Sequence, residues 1–208
     1  MIPLNLLLLD CSPRRDYSTS RHLTEQLLPA LSAHFGREIH VRRRNLGTEP
    51  LPAITAEYAE ALLLSAAEAK ERHGAALAVS DALIRELEQA DLLWISTPVH
   101  NFTVPAVLKH WIDLVVRREV TFTNTPTGKV GLLRDRPTFV AVTSGGAMFR
   151  DPPVQPDFFR PYLTAVLGII GLKDVRFTHA TGLASAEVPR SVIEALATQS
   201  LRSGALTA

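Results

Sequence analysis

The chain has one cysteine, Cys11, so no internal disulfide can form. A reducing, cytoplasmic setting is expected. Its seven histidines (His22, His34, His40, His73, His100, His110 and His179) include no pair four residues apart. One cysteine cannot build a structural zinc site, so no metal is expected. Neither a Walker A loop nor a G-x-G-x-x-G turn occurs. No apolar run reaches about 18 residues, so no membrane span is expected. The first residues lack the basic start and small-residue cleavage site of a secretion signal, and Asp10 interrupts their apolar run. Neither sign of charge dominates: 22 Lys and Arg stand against 21 Asp and Glu, a formal net charge of +1. That balance argues against a nucleic-acid surface. Repeats and low-complexity stretches are absent. What is present is an ordinary globular balance, 46% hydrophobic and 21% charged over 208 residues, read as a single domain 1–208.

The most informative stretch is Cys11-Ser12-Pro13-Arg14-Arg15-Asp16-Tyr17-Ser18-Thr19-Ser20. It follows a run of leucines and precedes a helical pattern. A buried strand thus ends in a loop bearing hydroxyls and guanidiniums at a helix N-terminus. Unpaired N–H groups and partial positive charge there favour an anion, best a phosphate. Ser12, Ser18, Thr19 and Ser20 can each donate to a phosphate oxygen. A plain serine N-cap is the alternative reading of the same residues.

Five apolar runs alternate with helical patterns. Residues 4–9, 38–42, 92–97, 138–143 and 175–178 read as strands. The second run is weaker, with Ile39 and Val41 facing inward, and is expected at the sheet edge. Leu23, Leu27, Leu31 and Phe35 mark the first helix. Leu77, Ile84 and Leu87 mark another, and Val104, Val107, Leu108, Trp111 and Val115 a third, with Pro105 near its first turn. Leu163, Val166, Leu167 and Ile170 mark a fourth, and residues 191–201 a closing helix. Strand–helix alternation implies a doubly wound α/β fold with a five-stranded parallel sheet. Two excursions interrupt it: residues 46–76, with a helical piece over 58–72, and residues 120–136, read as a small hairpin.

Ligands of open α/β sheets bind beyond the carboxyl ends of the strands. The third strand is followed there by Pro98, Val99, His100, Asn101 and Phe102. Pro98 stiffens the turn, and the N–H groups of residues 99–102 are expected to face a planar polar ring, with Val99 and Phe102 offering apolar surface. Phe102 packing into the core and Asn101 capping the next helix is the competing reading. The fourth strand is followed by Ser144, Gly145, Gly146 and Ala147, where glycines allow close backbone approach. A phosphate loop, an amide strip and a glycine pair on one sheet edge describe a site for flavin mononucleotide (FMN).

These motifs resemble the FMN-dependent NADH-azoreductase family of flavodoxin-like NAD(P)H:quinone oxidoreductases. The resemblance is carried by Ser12 with Tyr17-Ser18-Thr19-Ser20, Pro98-Val99-His100-Asn101-Phe102, Leu108-Lys109-His110-Trp111-Ile112-Asp113, Val120-Thr121-Phe122, Thr143-Ser144-Gly145-Gly146, and Pro161-Tyr162-Leu163 with Gly168-Ile169-Ile170-Gly171. It implies a flavodoxin-like fold and a homodimer with FMN at each site. It also implies NADH or NADPH as co-substrate, and reduction of quinones and cleavage of azo bonds by ping-pong exchange. Ser12, Ser18, Thr19 and Ser20 would hold the phosphate. Pro98 to Phe102 would lie beside the ring, and Ser144 to Ala147 at its polar edge. The chain departs from the family at Asp10, whose carboxylate would repel a phosphate unless Arg14 or Arg15 offsets it. It departs also at Cys11 in place of a serine, His100 in place of a frequent tyrosine, and Asn124 in place of an aromatic. About two extra residues follow Gly146.

His100 is the candidate proton donor, because imidazole titrates near neutrality; a pocket wall is its alternative role. Arg42-Arg43-Arg44 reads as a solvated strand end, or as an attractor of the NADPH 2′-phosphate. A cysteine phosphatase is disfavoured, because its C-x5-R spacing places an arginine where this chain has Tyr17. An FMN-binding electron carrier without azo activity is the alternative function. Such carriers are acidic, and this chain is not.

Overall fold

The leucine run and its four companions form one parallel sheet in the computed structural model, which describes residues 2–14, 18–146, 148–149 and 152–181. The expected closing helix over 191–201 lies outside the described residues. The elements in order are β1 (Leu4–Asp10), α1 (Thr19–Phe35), β2 (Ile39–Asn45), α2 (Ala56–Ala61), α3 (Ala66–Gln89), β3 (Leu92–Pro98), α4 (Ala106–Val115), β4 (Phe122–Thr125), β5 (Gly128–Gly131), β6 (Thr138–Ser144), α5 (Phe159–Ile169) and β7 (Val175–Thr181). The sheet runs β2-β1-β3-β6-β7, all neighbours parallel. Counted within the sheet this is the order 2-1-3-4-5 of doubly wound flavodoxin-like proteins, with the direction of winding reversing between β1 and β3.

Alternation along the strands divides the core in two. Leu4, Leu6 and Leu8 with Leu92, Trp94, Phe139 and Ala141 pack beneath Leu27 and Leu31 of α1. Leu7 and Leu9 with Leu93, Ile95, Val140 and Val142 face the opposite way, onto a larger core that includes α3, α4 and α5. The indole N–H of Trp94 donates to Thr24 Oγ1 at 2.9 Å, so the largest side chain of the α1 layer is also polar-satisfied. Trp111 is fully buried in the larger core.

Three expectations change. Val41 is 43% exposed rather than inward, because an edge strand is covered only where a helix lies over it. The helical piece expected over 58–72 is two helices. Thr55 caps α2, and Ser65 opens α3 with a capping box: its hydroxyl accepts from Glu68 N–H while the Glu68 carboxylate accepts from Ser65 N–H. Of the three arginines 42–44, Arg42 is exposed as a solvated strand end would be, while Arg43 and Arg44 are half-buried. All three lie inside β2, paired in register with Leu7, Leu8 and Leu9, and each is bonded: Arg42 to Gln89, Arg43 to Asp10 and Glu25, Arg44 to Glu86.

The hairpin expected in 120–136 is present as β4 and β5, antiparallel, with Phe122 opposite Gly131. It docks against the end of α5 through two glycines. A Cβ on Gly131 would lie 2.1 Å from Gly171 N, and Gly171 itself has φ +105°. Only hydrogen on both carbons permits that approach.

Candidate functional site

β1 ends at Asp10, and the chain then leaves the sheet. Cys11 N–H still donates to Ser96 O on β3 at 2.9 Å. Ser12 N–H turns back to the Asp10 carboxylate at 3.2 Å, and Ser12 Oγ accepts from Arg14 N–H at 3.3 Å. These two short-range bonds curl the loop and leave the Ser12 O–H proton to donate. Ser18 is the N-cap of α1: its φ and ψ are extended, and its hydroxyl accepts from Arg21 N–H. Ser12 and Ser18, both buried, therefore bracket a helix start that carries partial positive charge. The side chains of Thr19 and Ser20 lie outside the described residues. Gly47, just beyond β2, donates to Asp10 O and lies so close that a Cβ there would sit 2.3 Å from Ser12 C and O. No motif signals Gly47. Its requirement comes from the approach of two loops that only the fold brings together.

Asp10 is fully buried, and its charge is met by residues other than those expected. Arg21 Nε donates to Asp10 Oδ2 at 2.6 Å, and Arg43 approaches the same oxygen at 3.5 Å. Arg14 is exposed, and Arg15 lies outside the described residues. Helix periodicity puts residue 21 one turn inside α1, and strand register puts residue 43 beside Leu8. Both therefore reach the end of β1, which adjacency in sequence does not reveal.

Cys11 lies against the Thr97 hydroxyl, wholly enclosed. Burial first, and then the neighbouring Asp10 carboxylate, push its thiol far above the ordinary range. A thiol that does not ionise is no nucleophile, which removes the phosphatase chemistry on physical grounds as well as by spacing.

The loop after β3 is tied to the end of β6. Pro98 is in register with Thr143, and Val99 N–H donates to Thr143 O at 2.9 Å. His100 and Thr103 then exchange both backbone bonds at 3.0 Å around Asn101 and Phe102, whose φ values are +48° and +68°. Positive φ at both central residues is the pattern of a type I′ turn, normally filled by Asn and Gly. A phenylalanine there is strained. This corrects the expected strip of four free amides. Val99 and His100 spend theirs on the ladder and the turn, and among the described residues only those of Asn101 and Phe102 have no protein partner. Phe102 is 42% exposed, so it does not pack into the core, and Asn101 does not cap α4, whose N-cap is Pro105. His100 is exposed beside them.

After β6, Ser144 Oγ accepts from Gly146 N–H at 3.1 Å. Gly145 is exposed with open space where a Cβ would stand. A Cβ on Gly146 would collide with the Gln155 side chain at 2.3 Å. Ala147 lies outside the described residues. The three loops thus leave one edge of adjacent strands β1, β3 and β6, and direct bonds tie the first loop to the end of β3 and the second to the end of β6. Asn124 is exposed on the hairpin, in register with Lys129.

Comparison with known proteins agrees with this fold. Residues 4–202 match the family model for the flavodoxin-like fold. The FMN-dependent NADH:quinone oxidoreductase 4 of Pseudomonas fluorescens is 44% identical over 179 residues, 86% of this chain and 84% of that one. The chain belongs to the flavodoxin-like family of these oxidoreductases. The FMN-dependent NADH:quinone oxidoreductase 1 of Trichormus variabilis is 38% identical over 199 residues, 96% of this chain and 94% of that one. Among solved structures, a Bacillus anthracis FMN-dependent NADH-azoreductase in complex with FMN superposes with a TM-score of 0.75 at 23% identity, covering 95% of this chain and 96% of that one. This last likeness concerns the fold.

Proposed function

We infer that this family member is an FMN-dependent NAD(P)H:quinone oxidoreductase. The observation that carries the reading is the meeting of three loops at the carboxyl edge of β1, β3 and β6, where the winding reverses. The residues fit the group at both ends. Buried hydroxyls at a helix N-terminus and a loop approached so closely that Gly47 admits no Cβ suit a phosphate. The two unpartnered amides of a strained turn, with an exposed aromatic, suit a flat ring bearing carbonyl and nitrogen acceptors.

Ser12, Ser18, Thr19 and Ser20 would hold the phosphate. Pro98, Val99, His100, Asn101 and Phe102 would border the ring, and Ser144, Gly145, Gly146 and Ala147 its polar edge. Bound FMN supplies two-electron transfer between nicotinamide and quinone. The chain's own part is to bind, orient and exclude. Pro98 and the bond from Val99 to Thr143 brace the turn, and Phe102 presents apolar surface over which a nicotinamide or quinone ring can lie. His100, exposed at the turn, orients the acceptor or supplies its proton. Nothing in this scheme requires a protein nucleophile, in keeping with the buried neutral thiol.

The reading includes a homodimer and a cytoplasmic location, the latter in keeping with a lone buried thiol. No helix among the described residues is long and apolar enough to cross a membrane. The test is direct. Purified protein should show flavin absorption at about 450 nm that bleaches on anaerobic addition of NADH and returns with a quinone. A colourless protein that takes up no added FMN overturns the reading. NADH consumption with quinone and no second protein separates an enzyme from an electron carrier. Azo cleavage is the second expected activity, and His100→Phe should slow an azo dye more than a simple quinone. Equal effects on both leave His100 as a wall.

A further inference from the structure

A fully buried carboxylate beneath a phosphate loop is an electrostatic contradiction. Its surroundings resolve it. Asp10, Ser96 and Asn45 stand side by side on β1, β3 and β2, in one row on the sheet face that α1 covers. Asp10 Oδ1 takes Ser12 N–H, and Asp10 Oδ2 takes Arg21 and Arg43 from opposite sides, one from the helix and one from the edge strand. Ser96 Oγ and Asn45 Oδ1, flanking it, are buried with no hydrogen-bond partner among the described residues. Arg21 gives Asp10 only its Nε; among the described residues its two terminal nitrogens have no partner. Arg43 is shared with Glu25 at 3.7 Å.

Arg21 and Arg43 together balance Asp10 and Glu25, so what the base of the loop offers a ligand is the terminal N–H groups of Arg21 that its bond to Asp10 leaves uncommitted. An extended arginine in solvent would have its charge screened and its side-chain freedom intact. Held on Asp10, Arg21 is ordered beforehand, with donors to spare, one turn from the Ser18 cap.

We propose that Asp10 is a positioning residue that fixes Arg21, seconded by Arg43, as the reader of phosphate charge in this site. The proposal rests on the FMN reading above and concerns how the site tells a phosphorylated flavin from its uncharged parent. A simple repulsive role for Asp10 makes the opposite prediction, since removing a negative charge would then tighten phosphate binding.

The experiment titrates apo-protein with FMN and, separately, with riboflavin, following flavin fluorescence. Wild type, Asp10→Asn, Arg21→Gln and the double variant are compared. Asp10→Asn and Arg21→Gln should each weaken FMN binding about tenfold, leave riboflavin binding unchanged, and flatten the salt dependence of FMN binding. The double variant should lose little more than either single change, because the two act as one unit. The proposal is overturned by tighter or unaltered FMN binding in Asp10→Asn, by equal losses for FMN and riboflavin, or by additive losses in the double variant. Should Asp10→Asn fail to fold, Arg21→Gln, at the half-buried partner, decides alone by the same FMN-to-riboflavin ratio. Failure of wild type to bind FMN at all would instead sink the cofactor assignment.

Discussion

Phe102 has a backbone angle that glycine would adopt freely, and it keeps a large ring half in solvent. Such a conformation costs about 1–3 kcal/mol and persists only where surrounding bonds enforce it. Here His100 and Thr103 enforce it with two mutual hydrogen bonds. Phe102→Gly should therefore raise thermal stability, by about 1 kcal/mol, while weakening FMN and slowing quinone turnover. Melting curves and flavin titration on the same sample check the opposed signs, and a loss of stability would show that the ring contributes packing rather than strain. Cys11 shows the reverse relation between sequence and environment. Its position in a phosphate loop invites a nucleophilic reading, and burial beside Asp10 cancels it.

Among the elements, the segment between β2 and β3 separates local from tertiary information. Ser65 and Glu68 form a capping box that periodicity alone overran, although the S-x-x-E pattern was there to be read. The break it makes allows Tyr58 on α2 to turn inward, where its hydroxyl donates toward Asp113 O and Leu114 O at the end of α4. Ser80 on α3 donates to the same Leu114 carbonyl, and Arg117 bonds to Ser80 and pairs with Asp81. The excursion is thus fastened to the helix that follows the Pro98 turn. Ser65→Ala removes the cap and should cost about 1 kcal/mol, read as a lower urea midpoint. FMN affinity should stay as it was, since the cap lies away from the three site loops. A parallel loss of flavin would mean that α3 registers the turn through α4.

At the scale of the whole molecule, several ionisable groups are shifted in one sense. His179 on β7 is half-buried against Phe149; burial, and then Arg160, hold its imidazole below the ordinary value of 6.5. Asp91 and Asp157 pay desolvation, which alone would raise them. Bonds from Asn5 N–H and Arg134 to Asp91, and from Arg160 and Phe159 N–H to Asp157, hold both below 3.8. A lowered histidine is protonated first in the unfolded chain, so its contribution is complete above about 6.5 and is lost as pH falls toward its folded value. The two carboxylates follow the same sign further down, present above 3.8 and lost in stronger acid. Urea midpoints should therefore decline from neutrality into the acid range, beginning above pH 5 through His179. His179→Asn should remove that first part of the slope and leave the carboxylate part intact. A flat profile from pH 7 to 5 in wild type would show that His179 is not differentially protonated.

Strand number, helix faces, the hairpin and the positions of the three loops are local properties, and they could be read from the sequence. Apolar runs bury, periodicity of 3.6 marks a helix face, and hydroxyls, Pro98 and the glycine pair declare turns through their own backbone preferences. Several features of the site were settled only in three dimensions. Which arginines neutralise Asp10, why the Val99 amide is not free at the Pro98 turn, and why residue 47 admits no side chain all depend on partners at least 11 residues apart or on adjacent strands. Such contacts are set by strand order and register. The chain specifies these through the fit of its whole core, and no short stretch of it carries them.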